Sequence, residues 1–93
     1  MTRSEILTAA NKCVTGDREQ DYDSPENNFR TIADLWTTYL DARYKGAVSI
    51  SAEDVALMLV LLKIARQASG HNKADNFIDL CGYAACGGEI AGD

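Results

Sequence analysis

The sequence predicts a small all-α protein, a four-helix bundle formed as one domain over residues 1–93. Three observations predict it. Apolar residues recur at helical spacing in four segments, and no segment alternates apolar and polar residues as a half-buried strand would. Three of the four segments open at a Ser or Thr placed to cap a helix, at Thr2, Ser24 and Ser51. The connections between segments are short and carry the polar and glycine residues of turns.

The first helix is expected over about 3–15. Thr2 with Glu5 three residues later is a capping-box pattern, Ile6, Leu7, Ala10 and Val14 supply the apolar periodicity, and Gly16 is a natural stop. A charged loop follows, from Gly16 to Asp23, with Tyr22 as its one aromatic. Ser24-Pro25 restarts a helix, Ser as the cap and Pro at the first helical position. The second helix is expected over about 25–42, with Phe29, Ile32, Ala33, Trp36, Tyr39 and Leu40 on one apolar stripe.

After a linker containing Gly46, Ser51 and Asp54 form the start of a third helix over about 52–69. Between Val55 and Ala65 only Lys63 is polar. A helix apolar nearly all round is covered on several sides, so it is expected at the centre of the bundle or in a subunit interface. Lys63 and Arg66 come near its C-terminal end, where cations suit the helix dipole. The fourth helix is expected over about 73–86, with Phe77, Ile78, Leu80, Tyr83 and Ala84 apolar. Gly82 inside it costs about 1 kcal/mol relative to Ala and lets a neighbour come close. Gly87-Gly88 is expected to end it, and Glu89 to Asp93 to form a mobile tail.

A chain of 93 residues buries only about 60–65 % of its unfolded surface, so its core is thin. Yet 46 % of its residues are hydrophobic. That combination predicts apolar surface shared between subunits, hence a homo-oligomer. The net charge of −5, from 14 acidic and 9 basic residues, argues against nucleic-acid binding and against anionic membranes. It permits a metal site or a mimic of nucleic-acid charge, and it also serves solubility alone. Three cysteines, Cys13, Cys81 and Cys86, make a poor disulfide framework. Cys81 and Cys86 point about 140° apart around their helix and read as small hydrophobes or as reactive thiols. The N-terminus leads straight into a helical pattern without an export signal, and the longest apolar run, Val55 to Leu62, is too short to span a bilayer. A cytoplasmic location follows as the expectation.

Four groups of residues could carry chemistry. Asp75 and Asp79 lie four apart on one helix face, where two carboxylates need a cation or hydrogen bonds to coexist. They suit Mg²⁺, or else a solvated face with ion pairs to Lys63 and Arg66. Lys63 and Arg66, three apart, suit phosphate, or else pair with those same acids while their stems pack. Arg18, Tyr22, Asn27 and Asn28 flank the start of the second helix, where free backbone N–H groups attract an anion and Tyr22 could stack on a base. An ordinary capping loop has the same composition. His71 is the one histidine and reads as a turn residue. No glycine-rich phosphate loop, no zinc-type cluster of His and Cys and no Ser/His/Asp set is present.

One ordered set of residues resembles a phage and prophage family of unknown function. It comprises Asp17-Arg18, Tyr22, Ser24-Pro25-Glu26-Asn27-Asn28-Phe29 and Ile32-Ala33-Asp34-Leu35-Trp36. It continues through Ile50 to Ala56, Leu61 to Arg66 and Asp75 to Ala84. The glycine that usually follows the tyrosine in that family is Asp23 here. More distantly, the Asp75-to-Asp79 helix followed by Tyr83 looks like the second acidic helix of MazG-like all-α nucleotide pyrophosphohydrolases. The Glu-x-x-Glu pair of their first acidic helix is missing. Glu53 and Asp54, near its start, are the only acids on the third helix.

The resemblance implies a nucleotide-binding phage protein. Arg18, Tyr22, Asn28, Lys63 and Arg66 would meet the nucleotide, and Asp75, Asp79 and Asp54 would hold Mg²⁺. Whether it is an enzyme stays open, since hydrolysis would need a metal-bound water and no catalytic residue is assignable. The alternatives are a nucleotide sponge that turns nothing over, and an acidic protein-interaction module with a host protein partner that counters a host defence system.

Overall fold

The computed structural model describes residues 1–16, 24–46 and 48–92. The described residues form four helices: α1 (Arg3–Thr15), α2 (Pro25–Tyr44), α3 (Ala52–Ala68) and α4 (Ala74–Ala91). No strand occurs among the described residues. The molecule is an all-α helical bundle, as the periodicity predicts.

Local chemistry sets the helix starts. The Thr2 hydroxyl accepts from the Glu5 N–H at 3.1 Å while the Glu5 carboxylate accepts from the Thr2 N–H at 2.8 Å. Ser51 and Asp54 make the same reciprocal pair at 3.0 and 2.9 Å. Ser24 accepts from the Asn27 N–H at 3.3 Å, with Pro25 at the first helical position. Each pair satisfies backbone donors that the first turn leaves unbonded. The end of α3 is equally local. Ser69 N–H and His71 N–H reach back to the Ala65 and Arg66 carbonyls, with Gly70 at φ +98°, a conformation only glycine adopts freely.

Packing departs from the sequence-based expectation in one main respect: α4, not α3, is the central helix. It contacts α1, α2 and α3, whereas α1 touches neither α2 nor α3. The reason is its run of small residues. A β-carbon at Gly82 would stand 3.2 Å from Val14 Cγ1 of α1, and one at Gly87 would stand 3.0 Å from Ala56 Cβ of α3. Both neighbours approach because those glycines lack a side chain. The helix accordingly continues through Gly87-Gly88 to Ala91, past the expected stop and through most of the expected tail.

The approach of Ala56 to Gly87 and of Lys63 to Asp79 shows that α3 and α4 run antiparallel. Phe29, Ala33, Val55, Ala56 and Cys86 form the core, with the Phe29 and Tyr83 rings 6.3 Å apart and tilted by 50°. Trp36 and Ile32 of the expected stripe pack against it, but Tyr39 is 63 % exposed. Thr37 secures the chain that enters α3: its hydroxyl accepts from Ile50 N–H at 2.8 Å. Cys13, Cys81 and Cys86 form no disulfide, and Cys86 is a buried core residue. No helix among the described residues is long and apolar enough to cross a membrane.

Candidate functional site

The structure brings some of the expected site residues together and separates others. Arg18 and Tyr22 lie outside the described residues. Asn28 is half-buried at the start of α2, where its N–H donates to the Ser24 carbonyl at 2.9 Å. Nearby, Val14, Thr15, Pro25, Glu26, Cys86 and Glu89 line a pocket. Its described lining carries two carboxylates and no basic side chain, which does not suit a polyphosphate.

Lys63 and Asp79 meet directly, Nζ to Oδ2 at 2.9 Å, with both side chains largely shielded. One member of the basic pair and one of the acidic pair are thus joined across the α3–α4 seam. Asp75 and Arg66, by contrast, are exposed at one end of that seam. Asp54 is remote from them. It sits nine residues before Lys63 on α3, about 13 Å along the axis at 1.5 Å per residue, and its carboxylate accepts from the Ser51 N–H. One Mg²⁺ has ligands at about 2.1 Å, so Asp54 and the Asp75/Asp79 face do not share an ion. Among the described residues no group of three or more His, Cys, Asp or Glu side chains is placed to hold a metal.

Two features escaped the sequence reading. The first is a polar network closing the α3–α4 turn. Asn76 is buried, and its side-chain amide donates to Gln67 Oε1 at 3.1 Å and to the His71 carbonyl. Gln67 in turn donates to Asn72. His71 thus serves through its backbone, as a turn residue, with its side chain exposed.

The second feature is the outer side of α3. Residues on a helix are set 100° apart, and Leu57, Leu61, Ile64, Ala65, Ala68 and Met58 fall within an arc of about 120°. Val55, Ala56, Leu59 and Lys63 point the opposite way, toward the core and α4. On the outer arc Leu57 is 51 %, Met58 41 %, Leu61 62 % and Ile64 48 % exposed. The helix is apolar all round, as the sequence shows, but the bundle covers only half of it.

Comparison with known proteins places this chain in a family. Residues 5–91 match a family described as a domain of unknown function, DUF6378. The chain belongs to the DUF6378 family. Its relatives include the Gene 55 protein of Mycobacterium phage L5, 42 % identical over 79 residues that make 85 % of this chain and 47 % of that protein. The Gene 55 protein of Mycobacterium phage D29 is 39 % identical over 82 residues, 87 % of this chain and 50 % of that protein. The DUF6378 chain thus spans about half the length of these curated relatives. No solved structure matches. The matches agree with the phage family of unknown function that the ordered residue set resembles, and they lend no support to the likeness to MazG-like enzymes.

Proposed function

We propose that this DUF6378 chain is a non-catalytic helical interaction module whose working surface is the outer stripe of α3. One observation carries the reading: Leu57, Met58, Leu61 and Ile64 form a continuous apolar arc, each 41 to 62 % exposed, on a helix whose other side is core. Contiguous apolar surface of this kind marks a contact surface for protein, because water in contact with it is released on docking. The groups that nucleotide hydrolysis would need do not converge to the same degree. Lys63 is engaged by Asp79, and Asp54 lies more than two helical turns along α3 from the level of that pair.

A photoreactive residue at Leu61, with one at exposed Leu35 on α2 as the control, tests the reading in the expressing cell. Protein adducts at position 61 and none at 35 are expected. Their absence at position 61 contradicts it.

A phosphate-binding reading keeps one observation in its favour. The first turn of α4 has no side-chain cap, and exposed Arg66 and Lys73 lie at that end of the bundle. Free N–H groups with a guanidinium near them suit an anion. The protein incubated with a panel of nucleoside triphosphates and cyclic nucleotides, with Mg²⁺, distinguishes the two. An unchanged nucleotide pool is expected of the interaction module. New products would make the chain an enzyme, and a nucleotide retained and then released intact from denatured protein would make it a nucleotide binder.

A further inference from the structure

We propose that a second copy of this chain covers the outer stripe of α3, the two α3 helices lying antiparallel about a two-fold axis at Leu61. The inference rests on the reading of that stripe as the working surface, and it names the occupant.

The first argument is area. A folded protein of 10.1 kDa exposes about 5,300 Å² by the usual size scaling, and this chain exposes 6567 Å². The surplus, about 1,300 Å² over the whole chain, is larger than the roughly 800 Å² that each partner contributes to a standard interface, so covering the stripe would bring the exposed area toward the usual value. Shape agrees with it. The radius of gyration is 14.4 Å where about 12 Å is usual for this length, and the molecule measures 46 × 30 × 25 Å. Among the described residues Val55 is the largest side chain that is fully buried. A domain with so little core of its own gains most from association.

The second argument is the pattern of the stripe. A two-fold interface places one patch against itself, so the patch must be self-complementary. Around Leu61 the outer positions fall at Leu57 and Ile64, then at Asp54 and Ala68, which is the 3-and-4 spacing of a helix–helix seam. Antiparallel pairing sets Leu57 against the partner's Ile64 and Leu61 against the partner's Leu61. No charged side chain lies on the stripe between Asp54 and Ala68, so two copies of a chain of net charge −5 meet there without like charges opposed. Polar groups at the rim, such as Glu53 and Asp54 at one end, stay hydrated.

Sedimentation equilibrium of the full chain over a wide concentration range reads the result. The expected species has twice the mass of the 10.1 kDa chain. Leu61→Glu is expected to weaken association at least a hundredfold, since it sets two carboxylates against each other at the axis. Leu35→Glu, on the exposed side of α2, is expected to leave the dimer intact. Leu61→Cys gives an independent reading should the charged variant fail to fold: oxidation is expected to link two copies through position 61, and not through position 35 in Leu35→Cys. A wild-type chain that stays at 10.1 kDa throughout, or a Leu61→Glu variant that dimerises like wild type, overturns the proposal. A monomer that still yields Leu61 adducts to a different protein would overturn only the second copy as occupant, whereas a monomer without adducts would overturn the interaction-module reading as well.

Discussion

Lys63 and Asp79 form an ion pair at 2.9 Å across the seam between α3 and α4, with 12 % and 13 % of their side chains exposed. The pair joins the two helices at a shielded position. In a shielded setting, removing one partner leaves the other charge poorly compensated. Lys63→Met is therefore expected to lower unfolding free energy by roughly 2–3 kcal/mol, less than for a wholly buried pair. Urea denaturation measures it. A loss under about 0.5 kcal/mol, the range of ordinary surface changes, would show that the pair contributes little to the seam.

The two adjacent glycines of α4 are expected to respond with opposite signs. Alanine at position 88 meets nothing within 4 Å, so Gly88→Ala is expected to gain about 0.5–1 kcal/mol from helix propensity. At position 87 the new methyl would press on Ala56 Cβ, itself fixed to the α3 backbone. Gly87→Ala is expected to lose about 1–3 kcal/mol in spite of the same propensity gain. Thermal unfolding of the two variants checks the contrast. Equal gains would mean that α3 and α4 are not packed at Ala56.

These glycines also show where sequence reading reaches its limit. Helix starts were legible at Thr2, Ser24 and Ser51, because a cap is a contact between residues three apart. The end of α4 was not. Gly87-Gly88 has the local chemistry of a stop, but the first glycine is used for a close approach from another helix, a contact with Ala56 some thirty residues away. The same holds for the site. Lys63 pairing with Asp79 was one of two readings open from spacing, and the contact itself depends on the antiparallel seam that brings α3 beside α4. Asn76 gave no sign in sequence of being buried. The apolar circumference of α3 was legible, whereas which half of it the bundle leaves bare depends on where α2 and α4 dock.

The capping box of α1 gives the chain a local pH response. The Thr2 backbone N–H, and then the Thr2 side chain, hold the Glu5 carboxyl below its ordinary value of 4.5. A depressed folded value means that the ionised carboxylate favours the helix. Its contribution is present above 4.5 and is lost as pH falls through the lower folded value. An NMR titration of the Glu5 side-chain carbon is expected to show a midpoint below 4.5, with the first turn of α1 fraying over the same range. A midpoint at or above 4.5 would mean that the box is open in solution.

The central claim is that the outer side of α3 is covered when the protein works, and two methionines allow a direct measurement. Met1 is 66 % exposed and Met58, on the edge of the stripe, 41 %. Peroxide oxidation followed by mass spectrometry compares their rates within one molecule. The account expects Met58 to be strongly protected relative to Met1 in concentrated wild-type protein, and to oxidise nearly as fast as Met1 on dilution or in Leu61→Glu. Met58 oxidising at a rate close to that of Met1 at every concentration would show the stripe bare in solution and contradict it.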